Sequence, residues 1–409
     1  MRHIYTSVDI GSDTIKVVVC ELYRGRYNLL ATSTVKSQGI KKGLITDIAL
    51  AKNSVKQAFE QIESMLGIKL KKVIAIIPSY FADFTMITGE VKTSNNIVTG
   101  PDVVNVLQAA MQQAIIPSKE MVTILPIDFT LDNEITKEPI NKQSSSLKTR
   151  AIMVTTPKKN IYSVISLFNS MGVEVVDISL GCIGDIYTFK DENIDKNVTA
   201  LVNIGEEKTE VSLYNKGIIV KHSIINIGSK SIDNDIAYMY KIDASLAREL
   251  KEKFAMASKT SSSLNEIREI KNKFDEIKKI NQYEVSEIAS SRIDEILSLV
   301  NQEINSLSKH KPEFIYITGG LTNMTKFESI CREKLGKCAI IGNVNLIGLR
   351  NNKFSSAIGN IIYFVNKLKL KGKDYSMISS EDMENLSTPR KNSSNDTMFG
   401  KVFEYFFGE

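Results

Sequence analysis

The most informative part of this sequence is the stretch SVDIGSDTIKV at residues 7–17. It reads as an apolar strand, a tight turn that contains Gly11, and a second apolar strand. A similar stretch, LVNIGEEKTEV, stands at residues 201–211 and has Gly205 at the matching place. A further turn and another apolar run follow each stretch. The repeat predicts that two related halves each begin with a three-stranded meander, the alternative being two unrelated hairpins.

The turns of both stretches have the composition of a phosphate-binding loop. A tight turn between two strands presents backbone N–H groups in a concave array that suits phosphate oxygens. Gly11 and Gly205 lack a Cβ, so the backbone can approach a ligand closely. Ser12, Thr14 and Thr209 add hydroxyl donors. The sequence therefore predicts two turns that grip the phosphates of a nucleotide from opposite sides.

A third element supports a nucleotide site. The segment FIYITGGL at residues 314–321 reads as a buried strand ending in a glycine pair, against which an adenosine could lie. Lys16 could reach a phosphate or remain on the surface, and Asp9 could hold a water of hydrated Mg²⁺. The candidate binding residues in these three elements are Asp9, Gly11, Ser12, Asp13, Thr14, Lys16, Asn203, Gly205, Thr209, Gly319, Gly320 and Leu321.

Charge and composition exclude several classes of protein. A net charge of +5 among 409 residues is weak, and without a dense basic tract we expect no nucleic-acid partner. The sequence opens into a strand pattern without a signal-peptide core, and no apolar run is long enough to span a bilayer, so we expect a cytoplasmic protein. The scattered cysteines and histidines predict buried free thiols, and neither a disulfide framework nor a metal site.

Composition divides the rest of the chain into further segments. Residues 81–156 have strand and helix patterns of their own, which predicts an inserted subdomain. Residues 231–309 are highly charged and carry apolar residues on one helical face, which predicts a helical region. Residues 371–397 are rich in Ser, Asn, Glu, Asp, Lys and Pro, which predicts a flexible linker without a core.

The three glycine-containing elements together resemble the nucleotide-binding motifs of the actin, Hsp70 and sugar-kinase superfamily. Within it, the chain resembles the bacterial FtsA cell-division family over essentially its whole length, including SQGIKKG at residues 37–43 and the inserted subdomain. The resemblance implies an α/β, actin/Hsp70-like two-lobed fold with duplicated ribonuclease-H-like halves and the FtsA-type inserted subdomain.

The resemblance also implies a division of the chain into subdomains. The first half comprises 1–81 and is completed by 159–195 and 359–371, with the inserted subdomain at 82–158. The second half comprises 196–228 and 303–358. The remaining segments are a helical subdomain at 229–302, a flexible linker at 372–397, and an amphipathic membrane-targeting helix at 398–409.

The resemblance implies that the cleft between the halves binds ATP with Mg²⁺, and Asp9 is the candidate metal residue. It suggests Lys251 and Glu252 as neighbours of the adenine base, although their place on a charged helix is also typical of surface residues. Most members of the superfamily have Asp where this chain has Asn203. Because an amide cannot act as a general base and holds Mg²⁺ less well, we expect ATP binding with slow or negligible turnover.

Three carboxylates near Asn203 could take over the role of the missing aspartate. They are Glu206, Glu207 and Glu210. Solvated loop charges are the simpler interpretation. A sugar kinase of the same superfamily would need a carboxylate base and a substrate pocket, and the sequence offers no candidate for either.

The segment at 398–409 has the periodicity of an amphipathic helix. We expect it to fold on a membrane surface, the alternatives being the protein's own body or a groove in a partner. Lys401 is its one basic residue, so one copy should bind weakly and a polymer should bind by avidity. The apolar face consists of Phe399, Val402, Phe403, Phe406 and Phe407.

The resemblance finally implies partners. Family members polymerise on the cytoplasmic face of the cell membrane at the division site and tether the tubulin-like protein FtsZ. Arg292 and Glu295 occupy the motif that contacts the FtsZ C-terminal peptide, although by position they could be a plain exposed helix pair. The inserted subdomain at 82–158 is expected to contact neighbouring subunits and later division proteins. A related pilus-assembly ATP-binding protein would share the fold and the insert but ordinarily lacks the linker and the aromatic helix.

Overall fold

The computed structural model describes residues 2–112, 117–132 and 134–387. The strands in these ranges are β1 (Arg2–Ile10), β2 (Thr14–Tyr23), β3 (Arg26–Lys36), β4 (Ile40–Lys41), β5 (Leu44–Ile45), β6 (Lys72–Ile77), β7 (Asp83–Lys92), β8 (Lys119–Leu131), β9 (Glu134–Thr136), β10 (Ser146–Pro157), β11 (Glu174–Leu180), β12 (Val198–Ile204), β13 (Thr209–Asn215), β14 (Ile218–Ile225), β15 (Ile267–Lys271), β16 (Ile277–Asn281), β17 (Phe314–Thr318) and β18 (Ala339–Ile341). The helices are α1 (Ile48–Leu66), α2 (Gly100–Gln112), α3 (Lys158–Asn169), α4 (Gly181–Phe189), α5 (Glu192–Lys196), α6 (Lys230–Tyr240), α7 (Ala244–Lys253), α8 (Gln282–Leu307), α9 (Phe327–Leu335), α10 (Ser355–Leu370) and α11 (Ser380–Ser387).

The two halves of the chain repeat one sheet topology. In the first half the order is β11-β6-β1-β2-β3, with an antiparallel meander of β1, β2 and β3 and with β6 and β11 parallel to β1. In the second half the order is β14-β13-β12-β17-β18, with the same meander and two parallel strands. The predicted two-lobed fold with duplicated halves is therefore confirmed.

A separate four-stranded sheet lies between β6 and α3. Its order is β7-β10-β8-β9, and α2 packs against it. A Cβ at Gly89 would lie 2.4 Å from the carbonyl oxygen of Val106, so this glycine lets the helix approach the strand closely. Asp102 fixes the start of α2 by accepting hydrogen bonds from the backbone N–H and the hydroxyl of Thr99. This sheet is the inserted subdomain.

The charged region after β14 is not entirely helical, so the prediction for 231–309 is wrong in part. β15 and β16 form an antiparallel hairpin between α7 and α8. The side-chain oxygen of Asn272 accepts from the backbone N–H groups of Phe274 and Glu276, and Asp275 has a φ of 64°. This local turn chemistry reverses the chain, while the high charge of both strands concealed their alternation.

The predicted linker at 372–397 is wrong in its first part. Met377 and Ile378 are buried in the core of the first half. The backbone N–H of Met377 donates to the carbonyl oxygen of Ile4 at 2.9 Å, beside the end of β1 that β6 leaves unpaired. α11 follows directly. The segment is therefore docked although its average composition is polar, with Met377 and Ile378 as its buried apolar side chains. The predicted helix at 398–409 lies outside the described residues.

The chain passes between the halves through two helices that cross in close contact. α4 leads from β11 to the second half, and α10 returns to the first. A Cβ at Gly359 would lie only 1.7 Å from the carbonyl oxygen of Gly184. No other residue type fits there without separating the helices. None of the described helices combines the length and the apolar character needed to cross a bilayer.

Replacing Met377 by alanine should test the docking of the segment after α10. Removing a buried methionine side chain should lower the free energy of unfolding by about 2 to 3 kcal/mol. The control is Met239→Ala, because Met239 is 59% exposed and its loss should cost less than about 0.5 kcal/mol. The measurement is the midpoint of urea unfolding, and equal effects of both changes would contradict the docking.

Candidate functional site

A cavity of about 540 Å³ lies between the two halves. The β1–β2 turn, the β12–β13 turn and the glycine pair after β17 all line it. Every residue that the sequence analysis assigned to the nucleotide site also lines this cavity, except Thr209. The structure thus brings the three predicted elements to one place.

The second turn and the glycine pair meet because their strands are neighbours. β12 and β17 are parallel, with Asn203 opposite Thr318, so their carboxyl ends lie side by side. Gly319 has a φ of +100°, and a Cβ there would lie 2.3 Å from the carbonyl oxygen of Ile204. Only glycine allows this close passage. A Cβ at Gly320 would meet no atom within 4 Å, and Gly320 lines the cavity.

The first turn carries an ion pair. Asp9 and Lys16 are opposite each other in the β1–β2 register, and the Lys16 ammonium donates to Asp9 Oδ2 at 2.7 Å. Both side chains are mostly buried and line the cavity. Lys16 is therefore not a free surface charge, because its ammonium is paired with the carboxylate of Asp9.

Thr209 does not belong to the cavity, so its predicted phosphate contact is wrong. Its side chain is fully buried, and its hydroxyl donates to the carbonyl oxygen of Ile227 at 2.8 Å. The hydroxyl thereby fastens the second turn to the segment after β14. Thr209 supports the turn and does not face a ligand.

Arg248, on α7, is a cavity residue that sequence reasoning missed. Its guanidinium donates to both oxygens of Asp13, at 2.8 and 3.0 Å, and also to Glu206. Its Nε lies 3.5 Å from Asp233 on α6. One side chain thus joins the first turn, the second turn and the helical subdomain. An arginine on a charged helix gives no sequence signal for such a role.

The carboxylates of the second turn are not solvated loop charges. Glu207 accepts from the backbone N–H of Lys42, in the first half, and from the ammonium of Lys230. Glu210 is 8% exposed and pairs with Lys208. Burial, the largest single effect, would raise the pKa of Glu210, but the charges of Lys208 and His222 and hydrogen bonds from Lys208 and Ser79 together lower the pKa to about 2. A carboxylate with so low a pKa is a weak base.

The two residues suggested as base neighbours both line the cavity. Lys251 is only 5% exposed, and its ammonium lies 2.8 Å from Asp233. The interpretation of Lys251 as a surface charge is therefore wrong. Glu252 follows it on α7 and lies at the same wall.

Asn203 contacts a buried carboxylic acid, Asp185, that the sequence analysis did not identify. The amide of Asn203 donates to Asp185 Oδ2 at 2.7 Å, and the hydroxyls of Ser355 and Ser356 donate to Asp185 Oδ1. Asp185 is fully buried, and this burial raises its pKa to about 6 against the opposing effect of the three donors. Its place as the one charged residue of α4 is a signal that could have found it.

The predicted partner residues lie on α8, away from the cavity lining. A capping box of Asn281 and Glu284 fixes the start of this helix. Arg292 donates to both oxygens of Asp235 on α6, at 2.6 and 3.0 Å, and also pairs with Glu295. Arg292 is thus tied to a second helix, which a plain exposed helix pair would not require.

Comparisons with known proteins agree with this geometry. The family model "Cell division protein FtsA" matches residues 200–359, and "SHS2 domain inserted in FTSA" matches residues 84–155. The cell division protein FtsA of Bacillus subtilis is 27% identical over 381 residues, covering 91% of this chain and 86% of that protein. The Enterococcus faecalis FtsA is 23% identical and covers 98% of each chain.

Two solved structures share the fold. The PilM–PilN type IV pilus biogenesis complex has a chain with a TM-score of 0.59 and 14% identity, covering 88% of this chain and 98% of its own. MreB5 of Spiroplasma citri bound to ADP has a TM-score of 0.54 and 12% identity, covering 90% of this chain and 98% of its own. At these identities the likeness concerns the fold alone, so the pilus protein does not favour a pilus role.

Two duplicated lobes around a cleft lined by paired glycine-containing turns define a member of the actin-like superfamily. The four-stranded insert and the sequence matches then narrow the assignment. The chain belongs to the bacterial FtsA cell-division family.

The raised pKa of Asp185 predicts a specific pH dependence. The folded protein holds this proton up to about pH 6, whereas an unfolded aspartate releases it near about pH 4. The stabilisation from the proton is therefore complete below about pH 4 and is lost as the pH rises through about 6, about 3 kcal/mol in all.

Asp185→Asn removes this titration. The difference in unfolding free energy between the variant and the wild type should shift in favour of the variant by about 3 kcal/mol between about pH 4 and 7. Urea unfolding at a series of pH values measures it. A constant difference over this range would contradict the raised pKa.

Proposed function

We propose that the chain binds ATP in the cleft between its halves, forms filaments on the cytoplasmic face of the cell membrane at the division site, and tethers FtsZ there. The observation that carries the proposal is the meeting of two glycine-containing turns and a glycine pair in one interlobe cavity. It is supported by the fold shared with MreB5 structures bound to ADP and to AMPPNP.

The chemistry of the cavity suits a nucleotide. Backbone N–H groups of the two turns would hold the phosphates, and the open space at Gly320 would take the adenosine, with Leu321, Lys251 and Glu252 along that wall. Arg248 neutralises two carboxylates, Asp13 and Glu206, that would otherwise repel phosphate. Its guanidinium could donate to a phosphate in their place.

The residues of the cleft fit a hydrated Mg²⁺ that the nucleotide brings with it. Mg²⁺ usually keeps several waters and takes one or two carboxylates, and Asp9 offers one. The Lys16 ammonium beside Asp9 could turn to the phosphates once the metal supplies positive charge. Bound Mg²⁺ would neutralise phosphate charge, while Asn203 holds Asp185 and contributes no carboxylate.

Turnover should be slow. Asn203 cannot accept a proton from an attacking water, and its amide is already bonded to Asp185. Glu210 is the carboxylate beside it in the cavity, and a pKa of about 2 makes it a weak base. Phosphate release at enzyme-like rates would contradict this.

Gly319→Ala should weaken ATP binding at least about 5-fold. The left-handed backbone and the contact with Ile204 would force the segment to move, at a cost of about 1 to 3 kcal/mol. The control is Gly172→Ala, which has a similar φ of +70° but open space around it and no place in the cavity. Equilibrium titration with a fluorescent ATP analogue measures both, and equal affinities would contradict the site.

Membrane and FtsZ binding should separate in one reconstitution. Full-length protein with ATP should recruit FtsZ to anionic liposomes, and deletion of 398–409 should abolish co-sedimentation of both proteins. Arg292→Ala should leave liposome binding intact and weaken FtsZ recruitment.

The matched control for Arg292→Ala is Arg332→Ala, which breaks an exposed ion pair with Glu328 on α9 and should change neither binding. Liposome binding that survives the deletion would contradict the membrane helix. Unchanged FtsZ recruitment by Arg292→Ala would contradict the assignment of that surface.

A further inference from the structure

Three side chains with metal-binding atoms meet beside the cavity. They come from α4, β13 and β14: Cys182, Glu210 and His222. Their ligand atoms, one from each residue, all lie within 4.8 Å of one another. Glu210 and Ser212 are two positions apart on β13, so their side chains lie on the same face of the sheet. Ser212 is opposite His222 in the register with β14. The sheet therefore brings the carboxylate and the imidazole together under the thiol of α4.

The imidazole of His222 has one nitrogen that is held and one that is not. Nδ1 lies 2.9 Å from the hydroxyl of Ser212, whereas Nε2 is buried without a hydrogen-bond partner. A buried polar atom without a partner is costly, so it calls for an explanation. A metal-binding histidine typically has its second nitrogen fixed in this way.

We propose that Cys182, Glu210 and His222 bind a transition-metal ion of the zinc class, with water as the fourth ligand. Thiolate, imidazole and carboxylate are all ligands of Zn²⁺, whereas Mg²⁺ and Ca²⁺ prefer oxygen ligands alone. Ligand atoms on a tetrahedral Zn²⁺ lie about 3.3 to 3.8 Å apart. The cluster must therefore contract by about 1 Å, which side-chain rotation can supply.

Metal binding would replace a proton on Cys182 and the ion pair between Glu210 and Lys208. The Cys182 thiol gives its proton to solvent and becomes the thiolate, while Glu210 leaves the Lys208 ammonium for the metal. Lys208 already lies over the ring of Tyr80, 4.9 Å from its centroid, and this contact can keep the displaced ammonium in place. Lys208 is thus an internal competitor for the site.

The location of the cluster indicates what the ion would do. α4 is one of the two helices that connect the halves, and β13 and β14 belong to the sheet of the second half. The ring of Phe84, at the start of the insert, packs 5.7 Å from the ring of His222. An ion there would fasten the connecting helix to the sheet at the base of the insert. This role does not depend on nucleotide binding.

The test is a metal titration of the chelator-treated full-length protein with Co²⁺ and with Zn²⁺. The expected result is one Co²⁺ per chain with the charge-transfer absorption of a thiolate ligand, displaced by Zn²⁺. Cys182→Ala and His222→Ala should weaken binding by at least about 100-fold, since loss of even a supporting hydrogen bond costs about 10- to 100-fold. Lys208→Met should tighten binding, because it removes the competing ammonium.

The controls are Cys338→Ala and His310→Ala, which remove a thiol and an imidazole outside the cluster and should bind as the wild type does. Circular dichroism confirms that each variant is folded. If a cluster variant does not fold, the cobalt spectrum of the wild type alone decides. No bound Co²⁺, a spectrum without thiolate absorption, or wild-type affinity in Cys182→Ala would each overturn the proposal.

Discussion

The contact between Gly184 and Gly359 is the constraint on which the rest of the structure depends. It lets the two connecting helices cross at backbone distance, so both can pack into the core that contains the first sheet. Asp185 is next to this crossing and accepts from α10 and from Asn203 at once. The same few residues therefore hold the two connecting helices together and tie the second turn to them.

The sequence was sufficient for the local parts of the site and insufficient for its long-range parts. A strand, a glycine turn and a strand form a pattern within a dozen residues, so Gly11, Gly205 and the pair at Gly319 could be placed in one cleft before the structure was known. Arg248 and Asp185 act through partners that are distant in the chain. Sequence periodicity does not indicate such contacts, because an arginine or an aspartate on a helix is ordinarily exposed to solvent.

Averages over composition also concealed specific structure. A polar segment was predicted to be a linker although two apolar residues, Met377 and Ile378, dock it, and a charged region concealed a hairpin. The scattered cysteines and histidines predicted no metal site, yet strand register and helix packing bring Cys182, Glu210 and His222 together. In each case the decisive residues are too few, or too far apart in the chain, to change an average.

The docking of residues 376–378 determines how a mechanical load would enter the protein. A pull on the chain beyond residue 387 would pass through α11, which packs on the core, to the place where the backbone N–H of Met377 donates to Ile4 on the central strand of the first sheet. That strand ends at the turn that contains Gly11. Tension would therefore pass to a strand that β2 pairs along its whole length and β6 pairs only at Ser7, Val8 and Asp9. The far end of this strand is the first wall of the cleft.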